Sequence, residues 1–213
     1  PTFHPAFIGR NNARFAGVVA QDLLKAIRLD DGWRPKWSDE GNIYTPDVRT
    51  VEKVLRSMHG KRVAYDIETD GQHPLLCQVR CIGFFDGTRA ICVPFLYRDG
   101  STEQVWVEGR ARPVTRKLWK PFYTGKALGR VLAAMQALFD DAGTRFETQN
   151  GQYDRMCLKA RFGLTAPYAM GHHFDTILAH HIVAGYLPHD LGFLATLYTD
   201  APFYKATEGG DSW

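Results

Sequence analysis

Residues 63 to 71 read VAYDIETDG, a β-rich segment in which Asp66, Glu68 and Asp70 occupy every second position. Successive side chains of a strand point to opposite faces, so these three acids project from one face, with Asp66 and Glu68 roughly 6.5 Å apart at the backbone. The arrangement is either a solvated strand end or a set of ligands that holds cations. Which of the two applies depends on what the rest of the chain places beside this strand.

The pattern after residue 60 indicates an α/β fold. The strand RVAYDIET is followed by CQVRCIGFFDGTRAICVPF, in which Asp86 and Gly87 mark a hairpin turn between two β-rich runs. Residues 97–125 lack clear periodicity, and an amphipathic helix then ends at Gly143. A strand, TRFETQ, and three helices near residues 151–162, 175–184 and 191–199 follow. This order predicts a mixed β-sheet flanked by helices.

The segment before residue 60 carries weaker signals. Residues 18–29 have the apolar spacing of a helix, after which the periodicity disappears. A short amphipathic helix over residues 47–58 is expected to begin at a cap, Asp47, and to end at Gly60. We therefore assign residues 31–59 to a linker with a short helix, and residues 60–213 to the main domain.

Composition limits the class of protein to which this chain can belong. With 213 residues, 45% of them hydrophobic, the chain can bury one substantial core plus an appendage. No run approaches the roughly 18 apolar residues of a membrane span, so no membrane partner is expected. The chain begins at Pro1 without an initiator Met or signal peptide and is expected to be a piece of a longer protein. Four cysteines without Cys-x2-Cys spacing predict reduced core thiols in a cytoplasmic protein, of a bacterial or phage-infected cell.

A second acidic feature lies in ETQNGQYDRM, where a strand leads directly into a helix with Asp154 in its first turn. A helix N-terminus favours a carboxylate there. If the two strands are neighbours, Asp154 can approach Asp66 and Glu68. Three carboxylates in one pocket repel one another unless cations neutralise them, and oxygen ligands suit Mg²⁺ or Mn²⁺. Two such ions ~4 Å apart could clamp a phosphodiester, one activating water and the other stabilising the leaving oxygen.

DIET and NGQYD resemble the first two motifs of DEDD-type 3'-5' exonucleases, Asp-x-Glu and Asn-x2 or x3-Tyr/Phe-Asp. The chain is most similar to the proofreading domain of family A, phage-like DNA polymerases. The segment FDTILAHHIVAGYLPHDLGFLATLYT is similar to that family's helical region between the second and third motifs. The resemblance covers about residues 62–213.

The resemblance implies a ribonuclease H-like fold and removal of nucleotides from a 3' end with two Mg²⁺ or Mn²⁺ ions. It further implies a polymerase domain attached to the same polypeptide. The implied catalytic and metal-binding residues are Asp66, Glu68 and Asp154. The residues implied to contact the nucleic acid or support the ligands are Thr69, Asn150 and Tyr153. Asp70 matches no family ligand and is assigned to a turn, and Asp175 is expected to cap the helix that follows it rather than bind metal.

The family's third motif, Tyr-x3-Asp or His-x4-Asp, has one literal match, Tyr186 to Asp190. The motif requires both side chains on one helix face, whereas Pro188 disfavours helix at Leu187 and Gly185 reads as a helix end. We interpret Asp190 as a cap of the next helix instead. The third motif is then expected beyond Trp213, and the chain as given is expected to be a poor nuclease.

Residues 1–30 are similar to the C-terminal end of family 4 type uracil-DNA glycosylases, with a His-Pro-Ala loop at His4, a later Arg-Asn pair and a closing helix. We interpret this segment as a remnant of such a domain, from which no glycosylase activity follows. It favours DNA over RNA as the substrate.

Residues 109–130 contain seven Lys and Arg residues and no acid, with three aromatic residues among them. Such a mixture suits the phosphates and stacked bases of a single strand, and Arg116, Lys117 and Lys120 are predicted to bind phosphates. The alternative is a solvated loop whose aromatic side chains pack on the domain.

The preferred function is therefore a metal-dependent 3'-5' exonuclease that acts on single-stranded DNA or a DNA 3' end. An exoribonuclease of the RNase D type shares the same motifs and is the alternative. A nucleic-acid-binding module without catalysis is a third interpretation, which the intact acids disfavour.

Overall fold

The computed structural model describes residues 16–32, 40–106, 108–109, 111–168 and 171–199, and it divides the chain into two compact units. One unit is Gly41–Asp175, and the other combines Pro1–Glu40 with Thr176–Trp213. Residues 1–15, which carry half of the glycosylase-like segment, and residues 33–39 of the predicted linker lie outside the described residues. The same holds for Arg110 of the basic segment and for residues 200–213.

A five-stranded mixed sheet forms the centre of the unit Gly41–Asp175, as the sequence predicted. Its strands lie in the order β3-β2-β1-β8-β9. β1 pairs antiparallel with β2, and β2 with β3, whereas β8 is parallel to β1 and β9 is parallel to β8. These strands are β1 Arg62–Thr69, β2 Val79–Phe85, β3 Ala90–Pro94, β8 Arg145–Thr148 and β9 His173–Asp175.

The segment without periodicity forms two small antiparallel ladders, β4 with β7 and β5 with β6. Their strands are β4 Leu96–Tyr97, β5 Thr102–Val105, β6 Val114–Lys117 and β7 Lys120–Pro121. Strands of two to four residues are too short to show a period of two in the sequence, which is why this part of the fold was not predicted.

Six helices occur in the described residues. Three belong to the unit with the sheet, α2 Val48–Ser57, α3 Gly125–Phe139 and α4 Gly151–Phe162. The other unit contains α1 Ala16–Asp30, α5 Thr176–Ala184 and α6 Leu191–Tyr198. None of these helices is both long and apolar enough to cross a membrane.

The core of the sheet unit is built from one face of β1 and from α2 and α3. Val63, Tyr65 and Ile67 alternate with the acids of β1 and are buried, as are Val51 and Leu55 of α2. α2 packs against α3, whose buried side chains are Val131, Met135, Leu138 and Phe139. The apolar face of α2, the short helix of residues 31–59, is therefore part of this core.

Two local motifs predicted from the sequence, a helix cap and a hairpin turn, are confirmed. The carboxylate of Asp47 accepts a hydrogen bond of 2.7 Å from the amide of Thr50 at the start of α2. Asp86 accepts hydrogen bonds from the amides of Thr88 and Arg89 and so closes the turn between β2 and β3. Both motifs act within four residues, so the tertiary structure has little influence on them.

In the second unit, α5 ends at Ala184 and α6 begins after Asp190. The carboxylate of Asp190 accepts a hydrogen bond of 3.0 Å from the amide of Phe193, which is the geometry of a helix cap. Tyr186 and Asp190 therefore do not lie on one helix, and the interpretation of Asp190 as a cap is confirmed.

Candidate active site

Asp66 and Glu68 project from the face of β1 opposite the core. Both are exposed, whereas the residues that alternate with them are buried. Asp66 lies opposite Gly83 of β2, and Glu68 lies opposite Cys81. The alternation predicted from VAYDIETDG is thus present for these two acids.

Asp70 has a different role. Its carboxylate accepts a hydrogen bond of 2.6 Å from the amide of Gln78, and its own amide donates to the carbonyl of Gln78 at 3.1 Å. These bonds close the loop of residues 70–78 between β1 and β2. The assignment of Asp70 to a turn is confirmed.

Asp154 lies in the first turn of α4, the helix that follows β8. β8 is the parallel neighbour of β1, and α4 contacts both β1 and β2. The side chain of Asp154 is almost fully buried, with 3% of the residue exposed. A carboxylate so buried has lost most of its hydration, which is costly unless a cation or hydrogen bonds compensate it.

The pKa values show that these carboxyl groups interact. Burial raises the pKa of Asp154 to about 8, and the negative charges of Asp66 and then Asp175 contribute to the rise. Asp66 is in contact with solvent, but the surrounding protein removes part of its hydration and so raises its pKa to about 6. The negative charge of Glu68 adds to this rise. Hydrogen bonding from the backbone N–H of Ile67 acts in the opposite direction on both groups. The cluster therefore favours either bound protons or bound cations.

The N-terminus of α4 is held by a residue that the sequence analysis did not assign to the site. Asp175, at the end of β9, accepts hydrogen bonds from the amides of Asn150 at 3.1 Å and Gly151 at 2.9 Å. Its side chain is buried, and it therefore stabilises the start of α4 as well as any contact with its own helix. In the sequence, Asp175 stands at the end of a strand of only three residues, and such a strand is too short to be recognised from its pattern.

Asn150 adopts a left-handed backbone conformation, with φ 60° and ψ 40°. This conformation is uncommon for residues other than glycine, and asparagine tolerates it better than most. The residue is exposed, and its side chain forms no cap hydrogen bond with α4. Its predicted contact with nucleic acid stays a prediction.

Thr69 and Tyr153 hold the end of β1 against α4. Their hydroxyl groups are 2.9 Å apart, and each also donates a hydrogen bond to the carbonyl of Gly71, at 2.8 Å and 2.6 Å respectively. These contacts join the residue after Glu68 to the residue before Asp154. They give both side chains a supporting role, which was one of the two roles that the resemblance implied.

The basic segment is only partly available for phosphates. Arg116 and Lys117 are exposed on β6 of the β5–β6 hairpin. Lys120 instead forms an ion pair with Asp99, and Arg130 forms a two-pronged ion pair with Glu52.

The aromatic side chains of this segment had two interpretations, stacking on bases or packing on the domain, and two of them pack on the domain. Tyr123 is buried, and Phe122 packs against the core. Trp119 is covered by the guanidinium of Arg98, 4.0 Å from the ring centroid. Phe122 and Tyr123 therefore anchor the segment to the sheet unit, as in the alternative interpretation.

The donor atoms of Asp66, Glu68 and Asp154 fit Mg²⁺ or Mn²⁺, because all are carboxylate oxygens. The negative charges of Asp154 and Asp66 interact, as do those of Asp66 and Glu68. Among the described residues, however, no three His, Cys, Asp or Glu side chains are arranged to hold one ion as they stand. Mutual repulsion favours such a separation, and the convergence of all three acids around ions stays a prediction.

Comparison with known proteins supports the fold. No protein-family model matches the chain, and no curated protein sequence matches it. Among solved structures, it is similar to the catalytic core of RRP6 from Trypanosoma brucei, with 14% identity and a TM-score of 0.51 over 74% of this chain. This chain spans about a third, 34%, of the length of that core.

Two further structures are similar over a larger share of their own length. The EXO domain of Nibbler from Aedes aegypti has 11% identity and a TM-score of 0.52, covering 78% of this chain and 72% of that one. A nuclease solved in its apo form has 15% identity and a TM-score of 0.51, covering 80% and 66% of the two chains. At such identities the likeness shows the fold, and the chain has the ribonuclease H-like α/β fold that its motifs implied.

Proposed function

We propose that this chain is the exonuclease domain of a divalent-metal-dependent enzyme that removes nucleotides from the 3' end of a single strand. The observation that carries the proposal is the buried Asp154 beside Asp66, with Glu68 two residues further along β1. The ribonuclease H-like fold and the order of the two motifs support it.

In this proposal Asp66, Glu68 and Asp154 hold two Mg²⁺ or Mn²⁺ ions. When bound, such ions lower the pKa of a water molecule and stabilise the leaving oxygen of a phosphodiester. The chain itself fixes the positions of the ligands. Asp175 holds the start of α4, while Thr69 and Tyr153 tie the end of β1 to the same helix.

The proposed substrate is DNA, with proofreading for an attached polymerase as the biological role. The similarity of residues 1–30 to uracil-DNA glycosylases and the resemblance to polymerase proofreading domains support this choice. RNA is the alternative substrate, because exoribonucleases of the RNase D type share the motifs. The exposed Arg116 and Lys117 are proposed to bind phosphates of either strand type.

Titration with Mn²⁺ in a calorimeter tests the metal site without requiring turnover. The wild-type chain should bind Mn²⁺, and the double variant Asp66→Ala, Glu68→Ala should lose most of this binding. Asp140→Asn, which removes an exposed carboxylate at the end of α3, is the matched control and should bind like the wild type. Equal binding by the double variant and the wild type would exclude this site.

Cleavage of 5'-labelled oligonucleotides tests the reaction and the sugar preference together. DNA and RNA strands of the same sequence are incubated with Mg²⁺ or Mn²⁺, and products are separated at single-nucleotide resolution. Stepwise shortening from the 3' end that disappears in the Asp66→Ala, Glu68→Ala variant supports the proposal. Faster shortening of RNA would replace DNA with RNA as the substrate, and cleavage that survives in the double variant would contradict the assigned residues.

Salt dependence tests the β5–β6 hairpin. Replacing Arg116 and Lys117 with Gln should weaken single-strand binding and flatten the dependence of affinity on salt by about two phosphate contacts. Arg49→Gln with Lys53→Gln removes the same charge from the exposed face of α2 and serves as the control. If both double variants lose affinity equally, the effect is one of net charge and the hairpin is not the binding surface.

A further inference from the structure

Two buried thiols meet beside the candidate active site. The Sγ atoms of Cys77 and Cys157 are 3.5 Å apart, although 80 positions separate the two residues in the sequence. Cys77 is 4% exposed and Cys157 is fully buried. Both are free thiols.

The pair joins α4, which carries Asp154, to the loop between β1 and β2. Cys77 lies in the loop of residues 70–78, which follows Asp66 and Glu68 on β1, and Cys157 lies one helical turn after Asp154 on α4. Tyr153, next to Asp154, also contacts this pair, with its hydroxyl 3.7 Å from the sulfur of Cys77. A change at the two sulfurs therefore acts on the spacing between this loop and α4, the helix of Asp154.

We propose that Cys77 and Cys157 are a site of reversible oxidation by hydroperoxides, and that the disulfide between them lowers the activity of the adjacent metal site. Formation of the bond is independent of the proposed function, whereas its effect on catalysis rests on that function.

The reaction is balanced with hydrogen peroxide as the oxidant. One thiol, as its thiolate, attacks a peroxide oxygen, so that the O–O bond breaks and a sulfenic acid and water form. The second thiol attacks this sulfur, the S–O bond breaks, and a disulfide and a second water form. In total, two thiols lose two electrons and two protons to one peroxide.

Cys77 is the member that an oxidant can reach first. Its neighbour Leu76 is 75% exposed, and Gly71 and His73 of the same loop are also exposed. Opening of this short surface loop admits a small peroxide to Cys77, whereas Cys157 is enclosed by α4 and the core. Cys157 then acts as the resolving thiol.

Formation of the disulfide requires a movement that alters the geometry of the candidate active site. A disulfide has an S–S length of about 2.05 Å, so the two sulfurs must approach by roughly 1.5 Å. Part of that movement is transmitted to α4, one turn from Asp154. Because a misplacement of about 1 Å can cost on the order of 100-fold in rate, we expect the oxidised enzyme to be at least about tenfold slower.

Bond formation is measured on the intact chain treated with hydrogen peroxide and then with dithiothreitol. Oxidation should remove two thiols, reduce the mass by about 2 Da, and produce a peptide that links Cys77 to Cys157. The closed loop should raise Tm by about 5 °C or more. Dithiothreitol should reverse these changes, and Cys77→Ala or Cys157→Ala should prevent them.

The other two cysteines provide the matched control. In a Cys81→Ser, Cys92→Ser variant the same linked peptide should still form. In the wild-type chain, a disulfide between Cys81 and Cys92 instead, or no disulfide while the thiols are overoxidised, would overturn the proposal. If the bond forms and the reduced protein degrades DNA or RNA, equal rates before and after oxidation would refute its effect on the site. If the reduced protein shows no nuclease activity, as expected of a chain without the third motif, oxidation should instead weaken the Mn²⁺ binding measured by calorimetry. Unchanged Mn²⁺ binding after oxidation would refute the effect on the site, and a reduced protein that binds no Mn²⁺ would contradict the proposed function. In either case the peptide map and Tm decide whether the oxidation site exists.

Discussion

Replacing Asp154 with Asn should stabilise the metal-free protein while abolishing its response to divalent ions. Asp154 is 3% exposed, and burial together with the charge of Asp66 raises its pKa to about 8. Asparagine has nearly the same shape and carries no charge. Its amide N–H group can donate to Asp66, while its carbonyl can accept from the backbone N–H of Ile67.

The magnitude follows from linkage between protonation and folding. A carboxyl group whose pKa is higher in the folded state than the ordinary 3.8 binds more protons when folded, so the stability of the wild type falls as pH rises from about 4 to about 8. The roughly three pH units between 3.8 and neutrality, at about 1.4 kcal/mol per unit, cost the wild type about 4 kcal/mol at pH 7. Because the new amide needs its own partners, we expect Asp154→Asn to recover about 2–4 kcal/mol.

Thermal unfolding in a chelator and in Mn²⁺, at pH 5 and pH 8, measures both effects. In chelator the variant should melt roughly 5–10 °C above the wild type at pH 8, with a smaller difference at pH 5. Added Mn²⁺ should raise the Tm of the wild type and leave the variant unchanged, because binding only to the folded state is what stabilises it. Asp140→Asn should behave like the wild type in all four conditions.

The reasoning is refuted if Asp154→Asn is less stable than the wild type in chelator at pH 8. That result would mean that the carboxylate is compensated by groups of the protein itself and that no cation is needed. A Tm of the wild type that is independent of pH between 5 and 8 would lead to the same conclusion.

Two further substitutions, Gly151→Ala and Tyr153→Phe, test the packing around the site by thermal unfolding, and Gly129→Ala serves as a control. Gly151→Ala would place a Cβ 2.3 Å from the hydroxyl of the buried Thr148 and should destabilise the fold by about 1–3 kcal/mol. Gly129→Ala in α3, which has open space around it, should stabilise the fold by about 0.5–1 kcal/mol. Equal effects of the two substitutions would show that α4 can shift freely. Tyr153→Phe should lower the free energy of unfolding by about 1 kcal/mol, because it removes the hydrogen bond to the carbonyl of Gly71. It should change the Mn²⁺ affinity by no more than a few-fold, and loss of Mn²⁺ binding would make Tyr153 part of the metal site.

The sequence by itself determined the features that depend on neighbouring residues. Alternation along β1 placed Asp66 and Glu68 on the face opposite the core, since the side-chain period of a strand is two. The helix signal after NGQYD placed Asp154 in the first turn of α4, and Asp190 was recognised as a cap. The order of strands and helices was sufficient for the mixed α/β class.

Only the tertiary structure decided which distant groups meet. It placed Asp175 at the start of α4, added α2 to the core, and brought Cys77 within 3.5 Å of Cys157. It also buried Tyr123, which the composition of its segment had suggested for nucleic-acid stacking. The physical reason is that turns, caps and strand alternation are set within a few residues. Contacts across tens of positions depend instead on how whole elements pack, which no short pattern in the sequence encodes.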